Sequence, residues 1–205
     1  MKQRVVAAIV SQFVRPRGFW GLLAGWEMAL RPSNRRRNAW AVDLLDVRPT
    51  DRVVEIGFGP GLAIRELSRR AHQGRVVGLD HSKEMLKQAG KRNARAVRAG
   101  LVDLRLGSAE QLPDFEEPFD RILAVNNMGM WPDPDRVLKD LRRITSSGGR
   151  IAIVSQPRGP GANAETTQRL GREAAERFRR AGFVDIRSET LALSPPVVCV
   201  LGKAG

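Results

Sequence analysis

Short β-branched runs alternate with amphipathic stretches along most of the chain beyond residue 52. Runs at 53–56, 75–79, 102–106, 121–125, 150–154, 184–190 and 197–201 are short and rich in Val, Ile and Leu, which predicts buried strands. Between them, apolar residues recur at helical spacing over 62–71, 83–99, 134–144 and 164–181. Ser82 predicts an N-cap for the second of these helices and Gly182 a stop for the last. Strands interleaved with helices of this length predict βαβ units around a mostly parallel sheet, an α/β fold. The last two runs have only a turn around Ser194-Pro195-Pro196 between them, which predicts a closing hairpin with an antiparallel edge strand.

The pattern breaks down toward the N-terminus, and residues 1–40 are expected to form a helical extension to a domain at 41–205. The apolar run 5–10 is too short for a signal peptide. The stretch 18–30 holds thirteen residues with Glu27 inside, short of the roughly 20 that cross a bilayer, so no transmembrane segment is expected. Trp20, Trp26 and Trp40 are three of the four tryptophans. An apolar extension of this kind has three readings: a lid over a pocket, a homodimer surface, or a helix lying on a membrane.

Composition narrows the chemistry. A single cysteine, Cys199, excludes an intrachain disulfide and fits a reducing, cytoplasmic setting; in its apolar strand it reads as a buried structural thiol. With two histidines beside it, a tetrahedral zinc site of soft ligands cannot be built, and no metal is expected. Tyrosine is absent, which removes phenol chemistry. The net charge of +13 raises the prospect of nucleic acid or acidic ligands. Yet 29 of the 35 basic residues are arginines, a skew that GC-rich codons also produce. The run Arg35–Arg37 could serve an acidic group on a ligand or simply solvate an outer face.

The strongest local signal is Glu55-Ile56-Gly57-Phe58-Gly59-Pro60-Gly61, after a strand and ahead of a helix. Alternate glycines let the backbone turn sharply and approach a ligand, and the helix start offers free N–H groups. A dinucleotide fingerprint would place glycine at Leu62 and has no use for an acid at Glu55. This loop resembles the first motif of the class I S-adenosylmethionine-dependent methyltransferases. Gly78-Leu79-Asp80 with Ser82 and Met85 is similar to the family's second-strand motif, and Gly107-Ser108-Ala109-Glu110-Gln111-Leu112-Pro113 to the segment after its third strand. Ser108 stands where that segment has an aspartate. Pro118-Phe119-Asp120 and Ser147-Gly148-Gly149-Arg150 match the same framework. The resemblance covers residues 50–155 and is nearest to the small-molecule group typified by ubiquinone and menaquinone biosynthesis.

The resemblance implies a Rossmann-like, doubly wound, seven-stranded sheet and S-adenosylmethionine as cofactor. It assigns the methionyl end to Glu55, Asn126 and the backbone of Gly57, Phe58, Gly59 and Gly61. It assigns the ribose hydroxyls to Asp80, and the adenine to Ser108, Ala109 and Glu110 with His81 or Met85 opposite. The plainer alternatives are an acid paired with arginine for Glu55, a turn residue capping the next helix for Asp80, an exposed loop charge for Glu110, and a wall residue for His81. After the fourth strand, Asn126-Asn127-Met128-Gly129-Met130-Trp131 lacks the Asn/Asp-Pro-Pro-aromatic signature of amide or nucleobase methylation. Asn127, Met128, Met130 and Trp131, with Trp20 and Trp26, are therefore expected to line a pocket for a small, partly apolar acceptor, unless the methionines and Trp131 merely pack. Glu27, His81 and Asp133 are the candidate bases. An RNA methyltransferase using the basic N-terminal region, or a non-catalytic S-adenosylmethionine-binding protein, are the alternative readings.

Overall fold

The computed structural model describes residues 31–205; Trp20, Trp26 and Glu27 lie outside the described residues. Helix α1 (Pro32–Leu45) leads into β1 (Arg52–Ile56), α2 (Leu62–Arg70), β2 (Arg75–Asp80), α3 (Lys83–Arg92), α4 (Ala94–Arg98) and β3 (Val102–Leu106). Then follow β4 (Phe119–Val125), a short 3-10 turn at Met128–Met130, α5 (Pro134–Arg143), β5 (Thr145–Ser155), α6 (Ala164–Arg180), β6 (Phe183–Leu191) and β7 (Val197–Ala204). The described strands form one sheet in the order β3-β2-β1-β4-β5-β7-β6. All neighbours are parallel except β7, which runs antiparallel to both β5 and β6. The closing hairpin thus supplies the antiparallel edge, with the reversed strand held between β5 and β6.

Both faces of the sheet are covered, which is why its central strands read as nearly continuous apolar runs. Alternate residues serve opposite faces: Val54 and Ile56 pack toward α5 and α6 with Leu138, Leu141 and Phe178. Val53 joins Ala41, Val42 and Leu45 of α1, Ile64 and Leu67 of α2, and Met85 and Ala89 of α3 on the other face. Each such side chain fully withdrawn from water contributes about 1.5–3 kcal/mol. Helix α1 crosses the expected boundary at residue 40, burying Arg37 and Asn38 as well as Ala41, Val42 and Leu45. Cys199 is buried, and burial pushes its thiol up to about 12, which leaves it inert.

The two ends of the sheet differ. At the amino ends of β1 and β4, Arg121 is paired with Asp51 at 3.3 Å and donates to the Asp46 carbonyl. Arg52 N–H binds Asp120, and Arg150 pairs with Asp46. This is a structural edge. At the carboxyl ends, the chain winds from β1 outward to β3 and from β4 outward in the other direction. The switch point between β1 and β4 is where an open α/β sheet forms its ligand crevice.

Candidate functional site

The turn after β1 is built from three residues in left-handed conformation, Gly57 (φ 68°), Gly59 (φ 52°) and Gly61 (φ 77°). Gly57 has no room for a side chain, because a Cβ there would collide with the Asn127 amide. A Cβ on Gly59 would meet nothing within 4 Å, so this backbone borders open space at the switch point. A ligand can approach the chain there without meeting a side chain.

Two carboxyls stand under this loop. Asp80, at the end of β2, accepts from Gly59 N–H at 2.8 Å and from Ser82 N–H at 2.9 Å. Burial raises its pKa from the ordinary value, and these bonds pull against that. Ser82 is the N-cap of α3, its hydroxyl accepting from Met85 N–H. Asp80 therefore braces the turn, and each oxygen keeps a second lone pair for a diol. Glu55 is buried, and among the described residues no arginine pairs with it; the Ile64 N–H at the start of α2 is its backbone donor. Burial, then the nearby Asp80 charge, pushes its pKa well above the ordinary carboxyl range. Glu55 Oε2 has no partner.

The crevice's other bank is the end of β4. Asn126, in left-handed conformation (φ 57°), accepts through Oδ1 from Gln156 N–H at 2.7 Å, and its Nδ2 is buried without a partner. Asn127 Nδ2 donates to the Ile56 carbonyl, tying β4 to β1, and its Oδ1 is likewise unpaired. An unmatched buried polar atom costs about 1–3 kcal/mol. Three such atoms cluster at the carboxyl ends of β1 and β4.

The remaining residues divide between this crevice and the core. Ser108 and Ala109 follow β3, with the Ser108 hydroxyl accepting from Glu110 N–H at 3.2 Å. Glu110 is exposed, and its carbonyl accepts from Arg136. His81 is half exposed, 4.0 Å from the Asp80 carboxylate. Met85 and the Phe58 ring, by contrast, are core residues under α3 and α2, so only the Phe58 backbone reaches the loop's ligand side. Met128 and Trp131, expected to wall an acceptor pocket, are packed into the core beneath α5 and α6; Met130 is the exposed member at 42%. Asp133 caps α5 by accepting from Arg136 N–H at 3.0 Å, so this candidate base has a structural task.

Sequence reading missed a second polar group at this edge. Gln156, just past β5, accepts from Arg37 Nη1 at 2.6 Å and donates to the Pro195 carbonyl at 2.8 Å. The available signal was its place at a strand's carboxyl end, next to the Pro- and Gly-rich segment Pro157-Arg158-Gly159-Pro160-Gly161.

Residues 53–149 match the methyltransferase domain family. An uncharacterized methyltransferase of Bacillus subtilis, YdaC, is 34% identical over 183 residues, spanning 89% of this chain and 98% of its own length. A demethylmenaquinone methyltransferase of Bacillus cereus is 32% identical over 61% of this chain, which spans 55% of that protein. The crystal structure of a SAM-dependent methyltransferase from Aquifex aeolicus superimposes with a TM-score of 0.70 at 18% identity, over 87% of this chain and 96% of that one.

Proposed function

Because the chain belongs to the S-adenosylmethionine-dependent methyltransferases of class I, we propose that it transfers the donor's methyl group to a small-molecule acceptor by in-line displacement. The observation that carries the placement is the crevice itself: an open Gly59 backbone, a braced Asp80 and unpaired Asn126 and Asn127 atoms at one switch point. When bound, the donor supplies an electrophilic methyl group on a sulfonium. Asp80 would hold its ribose hydroxyls, the 57–61 backbone its methionyl end, and Ser108, Ala109 and Glu110 its adenine. Glu55 would act through the loop, since it lies beneath it. Asn127 and Met130 would face a partly apolar acceptor. Holding two reactants in line provides roughly 7–11 kcal/mol without a dedicated base.

Calorimetry with S-adenosylhomocysteine and with NAD tests the site. The sulfur nucleoside should bind and NAD should not; the reverse would overturn the placement. Asp80→Ala should weaken S-adenosylhomocysteine binding tenfold or more, since a hydrogen bond to a charged group contributes about 1.5–3 kcal/mol. The same variant should lose stability, because Gly59 and Ser82 lose their acceptor. An unchanged affinity would leave Asp80 only its bracing role.

A further inference from the structure

A second cavity opens at the carboxyl edge beyond the methyl-donor crevice, about 300 Å³ in volume, at the lower limit of small-molecule sites. Arg31 and Asn34 at the start of α1, Gln156 and Arg158 after β5, and Ser194 and Pro195 of the β6–β7 turn line it. Its lining carries two guanidinium groups and no carboxylate. Behind its wall lies a third, Arg37, 4% exposed, joined to the lining through Gln156. Its Nε is buried without a hydrogen-bond partner among the described residues. Among the described residues, no ion pair is formed by Arg37 or Arg158, whereas Arg70, Arg105, Arg177 and Arg180 each pair with a carboxylate. A buried guanidinium with no counter-charge is expensive to keep.

We infer that this cavity is an oxyanion subsite of the acceptor pocket, in which Arg158 and Arg31 hold a phosphate or carboxylate group of the molecule to be methylated and Arg37 positions Gln156 behind them. The inference rests on the proposed methyl-transfer reading. A planar guanidinium fork matches either oxyanion, and Asn34, Gln156 and Ser194 add neutral polar groups around it. The electrostatics agree with the geometry. Burial and then Arg158 bring Arg37 down to about 10, and burial and then Arg31 lower Arg158, as expected of like charges set close together.

Position supports the same assignment. Gln156 is bonded to Asn126 at the end of β4, and Asn127 next to it is bonded to β1 beside the glycine loop. The β5 end lies two strand spacings from β1, about 10 Å. An acceptor could therefore present its nucleophile at the switch point while its oxyanion rests among the arginines. A backbone phosphate of RNA is the less suited occupant, because a recess of this size takes a terminal group more readily than a chain.

The test is calorimetry on the full-length protein, with and without S-adenosylhomocysteine, titrated with phenyl phosphate, benzoate and neutral benzyl alcohol. One of the anions should bind at least tenfold more tightly than benzyl alcohol, and which one does distinguishes phosphate from carboxylate. Arg158→Gln, in a loop clear of the glycine turn, should weaken that anion about tenfold and leave S-adenosylhomocysteine affinity unchanged. Arg37→Lys keeps the charge without the fork and should weaken it too. Anion affinity no better than that of benzyl alcohol, or unaffected by Arg158→Gln, overturns the subsite. Displacement of phenyl phosphate by a short oligoribonucleotide also overturns it, in favour of an RNA backbone. A native protein that takes the anion but not S-adenosylhomocysteine would support the subsite while removing the donor reading.

Discussion

Glu55 shows how a single residue can be legible in kind and not in detail. An acid ahead of alternate glycines was readable from the sequence, as were Asp80 and the Ser82 cap, because each belongs to a short contiguous pattern. That Glu55 would be buried beneath α2, beside Asp80, was not, since it depends on how the first two strands pair. Burial has a measurable consequence. In the unfolded chain this carboxyl gives up its proton near 4.5, whereas the folded protein holds it to higher pH. Between those two values the native state binds more protons than the unfolded one, so stability falls as pH rises through the window. Glu55→Gln removes the slope and keeps an acceptor for the Ile64 N–H. The melting temperature of the variant, relative to the native protein, should therefore climb from pH 5 to pH 8. A pH-independent difference would show that Glu55 ionises normally. Met128 and Trp131 teach the opposite lesson: their types suggested an adaptable wall, but burial beneath α5 and α6 made them packing residues.

At the scale of elements, the strands and long helices were legible because two apolar periodicities alternate along the chain. Two departures have physical causes. Helix α1 buries residues 34, 37, 38, 41, 42 and 45, a regular stripe whose first half is Asn34, Arg37 and Asn38. Polar side chains in a buried stripe hide it from any reading by hydrophobicity. The predicted helix at 83–99 is divided at Asn93, which ends α3 and starts α4. The cause lies 32 residues away: Asn93 Nδ2 donates to the Gly61 carbonyl at 3.1 Å and to Ala89 at 2.9 Å. The adjoining Arg92 binds the Pro60 carbonyl, so the end of α3 clamps the glycine turn from outside. Asn93→Ala should cost about 1–3 kcal/mol in urea unfolding, because a buried acceptor loses its donor. S-adenosylhomocysteine binding should weaken with it, since the turn is no longer held. Normal affinity in the destabilised variant would show that the clamp serves the fold alone.

For the whole molecule, the question is what the net charge of +13 is for. Part of the described arginine surface is paired with carboxylates: Arg70 with Asp43 and Glu66, Arg75 and Arg105 with the shared Asp103, Arg177 and Arg180 with the shared Asp135. These pairs are scattered over α2, β2, β3 and α6. Arg31 and Arg158 line a recess of about 300 Å³. No helix of the described residues is long and apolar enough to cross a membrane. Salt separates a small charged ligand from a polymer. S-adenosylhomocysteine carries an ammonium and a carboxylate with no net charge, so its affinity should change by less than about twofold between 50 and 300 mM NaCl. Single-stranded RNA neutralised at about six phosphates would lose roughly a thousandfold over the same range. The expected outcome is non-specific RNA retention at low salt that disappears by 300 mM, with nucleoside binding intact and no labelled methyl group appearing on the RNA. Methyl label accumulating on RNA as quickly at 300 mM as at 50 mM would mean that the polymer is held by specific contacts. The small-molecule assignment would then fail, whatever the fate of the donor site.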